Sequence, residues 1–439
     1  VGPEQLRARV WKAIESRAGQ IIEFGEDVFA HPELGFKEFR TSRKAVELLS
    51  SAGIPCEQGI AITGFKARLR GRSPGPSVCV LGELDSVLCP GHPHADPQTG
   101  AAHSCAHNVE LAVMLGVALG LVDSGIMSCL DGDVVLIGVP AEEYVEIEYR
   151  CKLRREDKLG FLGGKQQFIL ERAFEDVDIA MMSHAIFTEE GTARSDRFKV
   201  GGTSNGFIGK LVTYRGREAH AGGMPHDGIN ALNAAILGLM GIHAQRETFR
   251  DEDSIRVHPI ITKGGDLVNI VPADVRVETY VRGKRMEAII SASRKVDRAL
   301  RAGADAVGAD VRIETLPGYL PRLAAPALEA ILRENAESVA GREHVGRGGH
   351  SSGSGDMGDV SHLMPVATLM YGGVTGRGHS EDVAIADKRL AYVDTSKVLA
   401  STVVDLLSDG AAAARKVIAD YRPVYNRESY LRMWEELLA

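Results

Sequence analysis

Residues 132–143 read GDVVLIGVPAEE. The apolar residues stand next to one another rather than alternating, as in a strand covered on both faces of a parallel sheet. The run ends in two adjacent carboxylates, Glu142 and Glu143. Two carboxylates straight after a buried strand are costly without a cation to meet them. Three further stretches have the same character. SVCVLGELD (77–85) ends at Asp85, VDIAMMSHA (177–185) ends with His184 near its close, and PVATLMYGG (365–373) is wholly apolar but for one threonine, one tyrosine and its glycines. Between them, NVELAVMLGVALGLVDSG (108–125) has helical periodicity and closes on Ser-Gly. Strands alternating with helices predict an α/β fold, a mostly parallel sheet with helices on both faces. Ligands in such sheets bind beyond the carboxyl ends of the strands, where Asp85, Glu142, Glu143 and His184 are expected.

The chain has 439 residues, more than one ordinary core accommodates, so two domains are expected. From about residue 203 the pattern changes. GFIGKLVTYRG (206–216) alternates like a half-exposed strand, and DGINALNAAILGLMGIHAQRE (227–247) is a long helix. Two strands meeting at a Gly-Gly turn follow, then a helix over 284–308 and a last strand, DVRIETLPGY. This β-α-β-β-α-β order is a split-βαβ layer. It predicts an inserted α+β domain at 203–316 and a first domain made of 1–202 and 317–439.

The formal net charge is -8, and no basic tract stands out, which argues against nucleic acid as a partner. The basic cluster Lys152–Lys158 contains Glu156 and Asp157 and reads as a solvated loop. The amphipathic, charged start is unlike a signal peptide. No apolar run reaches membrane-spanning length, so no membrane partner is expected. Six cysteines (56, 79, 89, 105, 129, 151) lack the spacing of a disulfide framework, which fits a reducing, cytoplasmic setting.

AAHSCAHNVE (101–110) alternates His103, Cys105 and His107. With Asp85, Glu142, Glu143, His184 and His379 they form a set of candidate ligands for a first-row divalent ion, zinc or manganese. Adjacent side chains diverge in a turning segment. One glutamate of the pair can therefore hold an ion while the other takes a proton from the water that the ion acidifies. His92, His94 and Asp96 in the loop before this stretch are a minor further grouping, weighed against a solvated loop.

HPELGFKEFRTS, GELDSV, HSCAHN, VPAEE, MSHA, REAHAGGMPHDGINALNA, KGGDLVNIVPADVRVETYVRG and GHSEDV stand in the order typical of the M20 metallopeptidase/amidohydrolase family. The chain resembles its amidohydrolase branch, which includes aminoacylase-like enzymes and aminobenzoyl-glutamate hydrolases, from about residue 21 to 409. That resemblance implies Cys105 as a bridging ligand, His107, Glu143, His184 and His379 as the remaining ligands, and Glu142 as general base. It implies one or two ions per subunit. Asp85 corresponds to an acid that orients a ligand histidine, and His103 to a motif residue that is not usually a ligand. His220 corresponds to a lid histidine that reaches across a dimer interface to the scissile group, and Asn269 to a lid residue near substrate. Arg282 is a candidate partner for a substrate carboxylate. The resemblance also implies that 203–316 is a lid or dimerisation domain, that 1–202 and 317–439 form a metal-binding catalytic domain, and that a homodimer or larger homo-oligomer forms through the lid.

The chain departs from the branch in places. Ala106 stands where the branch has glycine in HSCAH, which restricts the backbone if φ is positive there. The segment 144–162, YVEIEYRCKLRREDKLGFL, is inserted directly after the glutamate pair. The expected activity is hydrolysis of a C–N bond in a small, carboxylate-bearing, aminobenzoate-type molecule. Two substrates compete: the amide of an N-acyl or aminobenzoyl amino acid, or an aromatic amine such as 5-nitroanthranilate, deaminated to the salicylate plus ammonia. A hydrolase using Cys105 as nucleophile, and an inactive homologue serving as a binding or scaffold protein, are the rival readings.

Overall fold

The computed structural model describes residues 2–188 and 196–438. The chain divides into two compact units. The first contains Val1–Thr203, Leu323–Gly349 and Asp359–Ser429; the second contains Ser204–Arg322, His350–Gly358 and Tyr430–Ala439.

Four parallel strands form the middle of the first unit's sheet, in the order Asp131–Val139, Ser73–Glu83, Ile179–Thr188, Val366–Thr375. Cys56–Ile60 and Gly64–Leu69, paired antiparallel, extend one side; Phe198–Val200, antiparallel to Val366–Thr375, and Val345–Arg347, parallel to Phe198–Val200, extend the other. The apolar runs of the sequence are these central strands, covered on both faces. Val78, Val80, Val134, Leu136, Ile179, Met181 and Leu369 all lie in one continuous core.

The helix His107–Ser124 packs against the sheet. Gly82 allows the close approach, since a Cβ there would stand 2.7 Å from the Leu111 Cα. Among the described residues this helix alone is long and apolar enough to cross a membrane by length and composition, against the expectation that no run would be. It is buried from His107 to Leu121, as an all-round apolar helix in a core must be.

Strand boundaries shift what the sequence implied. The 132–143 run stops at Val139, because Pro140 has no N–H for the ladder, so Glu142 and Glu143 lie on a loop. The 177–185 run continues to Thr188, so His184 sits in the body of a strand rather than at its end. The expected solvated loop at Lys152–Lys158 is helical as far as Arg155, within the helix Ile147–Arg155.

The second unit has an all-antiparallel sheet of Gly206–Arg215, Asp274–Gly283 and Asp310–Leu316 with a strand split into Arg256–Val257 and Ile260–Lys263. The split falls at His258–Pro259, again where a proline interrupts the ladder. Helices Ala231–Ala244 and Met286–Asp305 cover one face, burying Ala234, Ala235, Val296 and Leu300 against Val212, Val275 and Val277.

Candidate metal centre

Five elements of the first unit deliver the candidate side chains. Asp85 follows the Ser73–Glu83 strand, Glu142 and Glu143 follow Asp131–Val139, and His379 lies four residues beyond Val366–Thr375. His184 projects from the strand Ile179–Thr188, and Cys105 and His107 stand at the start of the helix His107–Ser124. Between those two, Ala106 has φ 64 and ψ 26, the left-handed region that favours glycine. The backbone thus turns sharply between Cys105 and His107, which ends the strand-like alternation of His103, Cys105 and His107.

Two groups of ligand atoms result, each gathered within 4.8 Å: Cys105, His107 and His184, and Cys105, Glu143 and His379. Cys105 is common to both. Its Sγ lies 3.7 Å from His184 Nε2, and His379 Nε2 lies 3.1 Å from Glu143 Oε1. Glu142 belongs to a further group with His107 and Glu143, its Oε2 3.9 Å from His107 Nε2.

Asp85 sits behind this set, fully buried. Its Oδ2 accepts the Glu143 N–H at 2.9 Å, and its Oδ1 is 3.3 Å from His107 Nδ1. The Asp85 carbonyl oxygen is 3.0 Å from the same ring nitrogen. Nδ1 therefore carries a proton, and Nε2 faces the other candidate ligands, as in metal-binding histidines.

Three buried residues join the cluster that the sequence reading passed over. Glu83 pairs with the Lys165 ammonium, and its other oxygen lies 3.1 Å from His107 Nε2. Glu110, one helical turn after His107, is fully buried, and among the described residues neither of its oxygens has a well-directed hydrogen bond. Glu83 and Glu110 stood in the quoted stretches GELDSV and AAHSCAHNVE, and Lys165 lies just past the 144–162 segment. Nothing in residue type alone marked them as inward-facing.

The electrostatics are those of a site built around positive charge. Burial would raise the Glu83 carboxyl, but Lys165, His107 and His184 hold it down at about 2. Burial would raise Glu143 too, and the His379 imidazole against it, with His107, holds it at about 2. Burial pushes the Cys105 thiol well up, and the Glu143 charge adds to this. Burial and the neighbouring Glu83 push Glu110 well up. Burial disfavours a charge on His107, but Cys105, Glu83 and Glu110 outweigh it and raise its affinity for a proton. Burying so many acidic groups together demands compensating cations. Among the described residues, Glu83 Oε2, Asp85 Oδ1, His107 Nε2 and both Glu110 oxygens are buried and lack well-directed hydrogen bonds. A thiolate, imidazoles and carboxylates in this arrangement fit a divalent transition ion, which would ionise Cys105 outright.

His103 is buried beside these groups, and neither ring nitrogen hydrogen-bonds a protein group among the described residues. Burial, His107 and His92 push it down to about 3, so it is neutral. The His92–His94–Asp96 grouping does not assemble. His92 Nε2 is 2.9 Å from the Val383 carbonyl, while Asp96 caps its own turn by accepting the Gln98 and Thr99 N–H groups.

The remaining predicted residues lie in the second unit. His220 is exposed and pairs across an antiparallel bridge with Ile270. Its Nδ1 accepts N–H bonds from Gly222 at 3.2 Å and Gly223 at 2.9 Å. Two donors on Nδ1 place the ring proton on Nε2, which therefore donates. Asn269, also exposed, accepts the Ala221 N–H through its backbone at 2.9 Å. Arg282 is half-buried on the strand Asp274–Gly283, its Nε donating to His258 Nε2 at 3.1 Å. Its guanidinium also lies over the rings of Phe207 and Tyr280.

Comparison with known proteins agrees with this architecture. Residues 203–307 match the M20 family's peptidase dimerisation domain. The Xaa-Arg dipeptidase of Mus musculus is 26% identical over 422 residues, covering 92% of this chain and 89% of that protein. A dinuclear metal-binding M20 peptidase from Bacillus subtilis has a similar fold, with TM-score 0.63 and 19% identity over 90% of this chain and 99% of its own. So has the aminobenzoyl-glutamate utilization protein of Klebsiella pneumoniae, with TM-score 0.67 and 20% identity over 91% of this chain and 99% of its own.

Proposed function

We propose, for a chain that carries the M20 dimerisation domain and whose homologues are M20 family peptidases and amidohydrolases, that it hydrolyses a C–N bond in a small, carboxylate-bearing aromatic molecule. The observation that carries the reading is the sharing of Cys105 by two candidate ligand groups amid buried acceptors that, among the described residues, lack well-directed hydrogen bonds. Cys105, His107, Glu143, His184 and His379 would hold one or two divalent ions, Mn2+ or Zn2+. When bound, such an ion supplies Lewis acidity and acidifies water.

The side chains divide the rest of the work. Glu142, next to the ligand Glu143 but only partly buried, accepts the proton of the attacking water and returns it to the departing nitrogen. Asp85 keeps His107 in the tautomer that leaves Nε2 free to bind. His220, with its Nε2–H fixed as a donor, stabilises charge that develops on the substrate. Asn269 lies on the segment bonded to the His220 loop, within reach of the same substrate group. Arg282 supplies the cation for a substrate carboxylate. In this reading 1–202 and 317–439 form the catalytic domain and 203–316 the lid.

A homodimer, or a larger homo-oligomer built from it, forms through the lid. Ile236, Leu237 and Met240 are exposed on the helix Ala231–Ala244, and Ile260 and Ile261 on the split outer strand. Among the described residues Ile260–Lys263 pairs with only one neighbour in its sheet, so an apolar edge is open to a second copy.

Two substrates fit the chemistry. In one, water cleaves the amide of an aminobenzoyl or N-acyl amino acid. In the other, water displaces ammonia from an aromatic amine such as 5-nitroanthranilate, giving the salicylate. The 144–162 segment beside the glutamate pair, a departure from the amidohydrolase pattern, supports the second. Incubation of the metal-loaded protein with both substrate types, with ammonia and amino acid assayed separately, distinguishes them. Full activity in chelator would refute the metal-dependent reading in favour of a Cys105 nucleophile. Metal bound with no product from either substrate would favour a binding or scaffold protein.

A further inference from the structure

The 144–162 segment places a fully buried arginine, Arg150, on the helix Ile147–Arg155. Its Nη1 donates to the carbonyl oxygens of Ala141 at 3.2 Å and Leu162 at 2.7 Å. Its Nη2 donates to the carbonyl oxygen of Glu143. The guanidinium lies over the Phe36 ring, 5.2 Å from its centre. Among the described residues it has no carboxylate partner.

These contacts complete a frame around Glu142. The Ala141 N–H is held by the buried Glu38 carboxyl at 2.8 Å, and the Glu143 N–H by Asp85 at 2.9 Å. Arg150 takes the two carbonyls. The four backbone groups of the residues flanking Glu142 are thus tied to three buried side chains, Glu38, Asp85 and Arg150, all from outside the loop. Backbone N–H donors reach the same carbonyls, from Gly164 to Ala141 and from Val145 to Glu143. They do not link the two carbonyls to each other, as the forked guanidinium does. Ala141 needs such support, for its φ is 54, in the left-handed region. Space is reserved as well: a Cβ on Gly35 would stand 2.4 Å from Arg150 Nη2 and 2.9 Å from Ala141 Cα.

A second tether reaches the same segment from outside. Lys37 Nζ pairs with Glu146 Oε1 at 2.7 Å and lies 4.2 Å from the centre of the Tyr149 ring. An apolar residue at position 150 would fill the site without the cost of burying a charge. A guanidinium there makes sense as a device that fixes two carbonyl directions at once.

We infer that Arg150 is a positioning residue: it bridges the Ala141 and Glu143 carbonyls and so fixes the direction in which Glu142 and Glu143 project. The inference rests on the reading of Glu142 as base and Glu143 as ligand. The test uses full-length Arg150→Lys and Arg150→Met, the first guarding against misfolding of the second. Thermal melting, Mn2+ affinity by electron paramagnetic resonance, and kcat and KM are measured, with Glu142→Gln in parallel.

Mn2+ affinity and kcat are each expected to fall by about 10-fold or more, the usual effect of removing an outer partner of a ligand. KM should change far less, and Lys, with one point donor, should restore only part of the loss. Folded variants with wild-type Mn2+ affinity and kcat would overturn the inference. Failure of both variants to fold would overturn it too, making Arg150 a folding residue instead. Undiminished turnover by Glu142→Gln would instead strike at the assignment of the base, and the Mn2+ affinity of the Arg150 variants would still decide its effect on Glu143.

Discussion

His379 Nε2 stands 3.1 Å from Glu143 Oε1, an exposed imidazole against a buried carboxylate. The two come from loops after different strands, and each also lies in the group that contains Cys105. Because His379 is more than half exposed, its removal should hardly affect folding. His379→Ala is expected to melt within a few degrees of wild type while its Mn2+ affinity falls by about 100-fold or more. Even outer partners of metal ligands contribute 10–100-fold. Equilibrium dialysis with metal analysis checks this, and unchanged metal affinity would remove His379 from the ligand set.

Glu142 and Glu143 should separate cleanly by function. Glu142→Gln is expected to retain bound metal and lose turnover by about 100-fold or more, the range for loss of a general base. Glu143→Gln should lose metal as well. Metal content after gel filtration, beside single-substrate rates, distinguishes the two, and an active Glu142→Gln would refute the base assignment.

If His220 serves the site of a second copy, two inactive variants should complement one another. Mixed after reversible dissociation, His220→Ala and Glu142→Gln subunits give a statistical half of mixed dimers. Each mixed dimer has one intact site, so about a quarter of wild-type activity should return. A mixture as inactive as its components would show that His220 acts within its own subunit or not at all.

Glu38 gives a pH dependence whose sign follows from its surroundings. Burial, with the charge of Asp85, pushes its carboxyl up from 4.5 to about 8. Between those values the folded chain holds a proton there that the unfolded chain releases. The stabilising contribution is complete below pH 4.5 and is lost as pH rises through 8. Glu38→Gln, which stays neutral, should remove this component, on the order of a few kcal/mol across the window. Urea titrations of both proteins from pH 5 to 9 measure it. Parallel curves for the two would show that Glu38 does not carry the effect.

Much of the fold was legible because burial on both faces leaves an unmistakable mark on a strand. The runs at 77–85, 132–143, 177–185 and 365–373 became the four central parallel strands. The 203–316 pattern became two helices on an antiparallel sheet, since alternation and helical period are local properties. Strand ends were less legible. Pro140 ended one strand before its carboxylates, and pairing with Val366–Thr375 carried another past His184.

The sequence by itself determined which residue types could meet a cation, for Cys105, His107, Glu142, Glu143, His184 and His379 all sit on recognisable motifs. Tertiary structure alone decided how they divide. The left-handed turn at Ala106 broke the alternation of AAHSCAHNVE, setting Cys105 and His107 in the candidate ligand groups and leaving His103 buried outside them. Glu83, Glu110, Lys165, Glu38 and Arg150 were ordinary charged residues until packing turned them inward. A buried charge is defined by its neighbours, and those neighbours come from strands and helices far apart in the chain. Periodicity reports which face of an element is covered, but not what covers it.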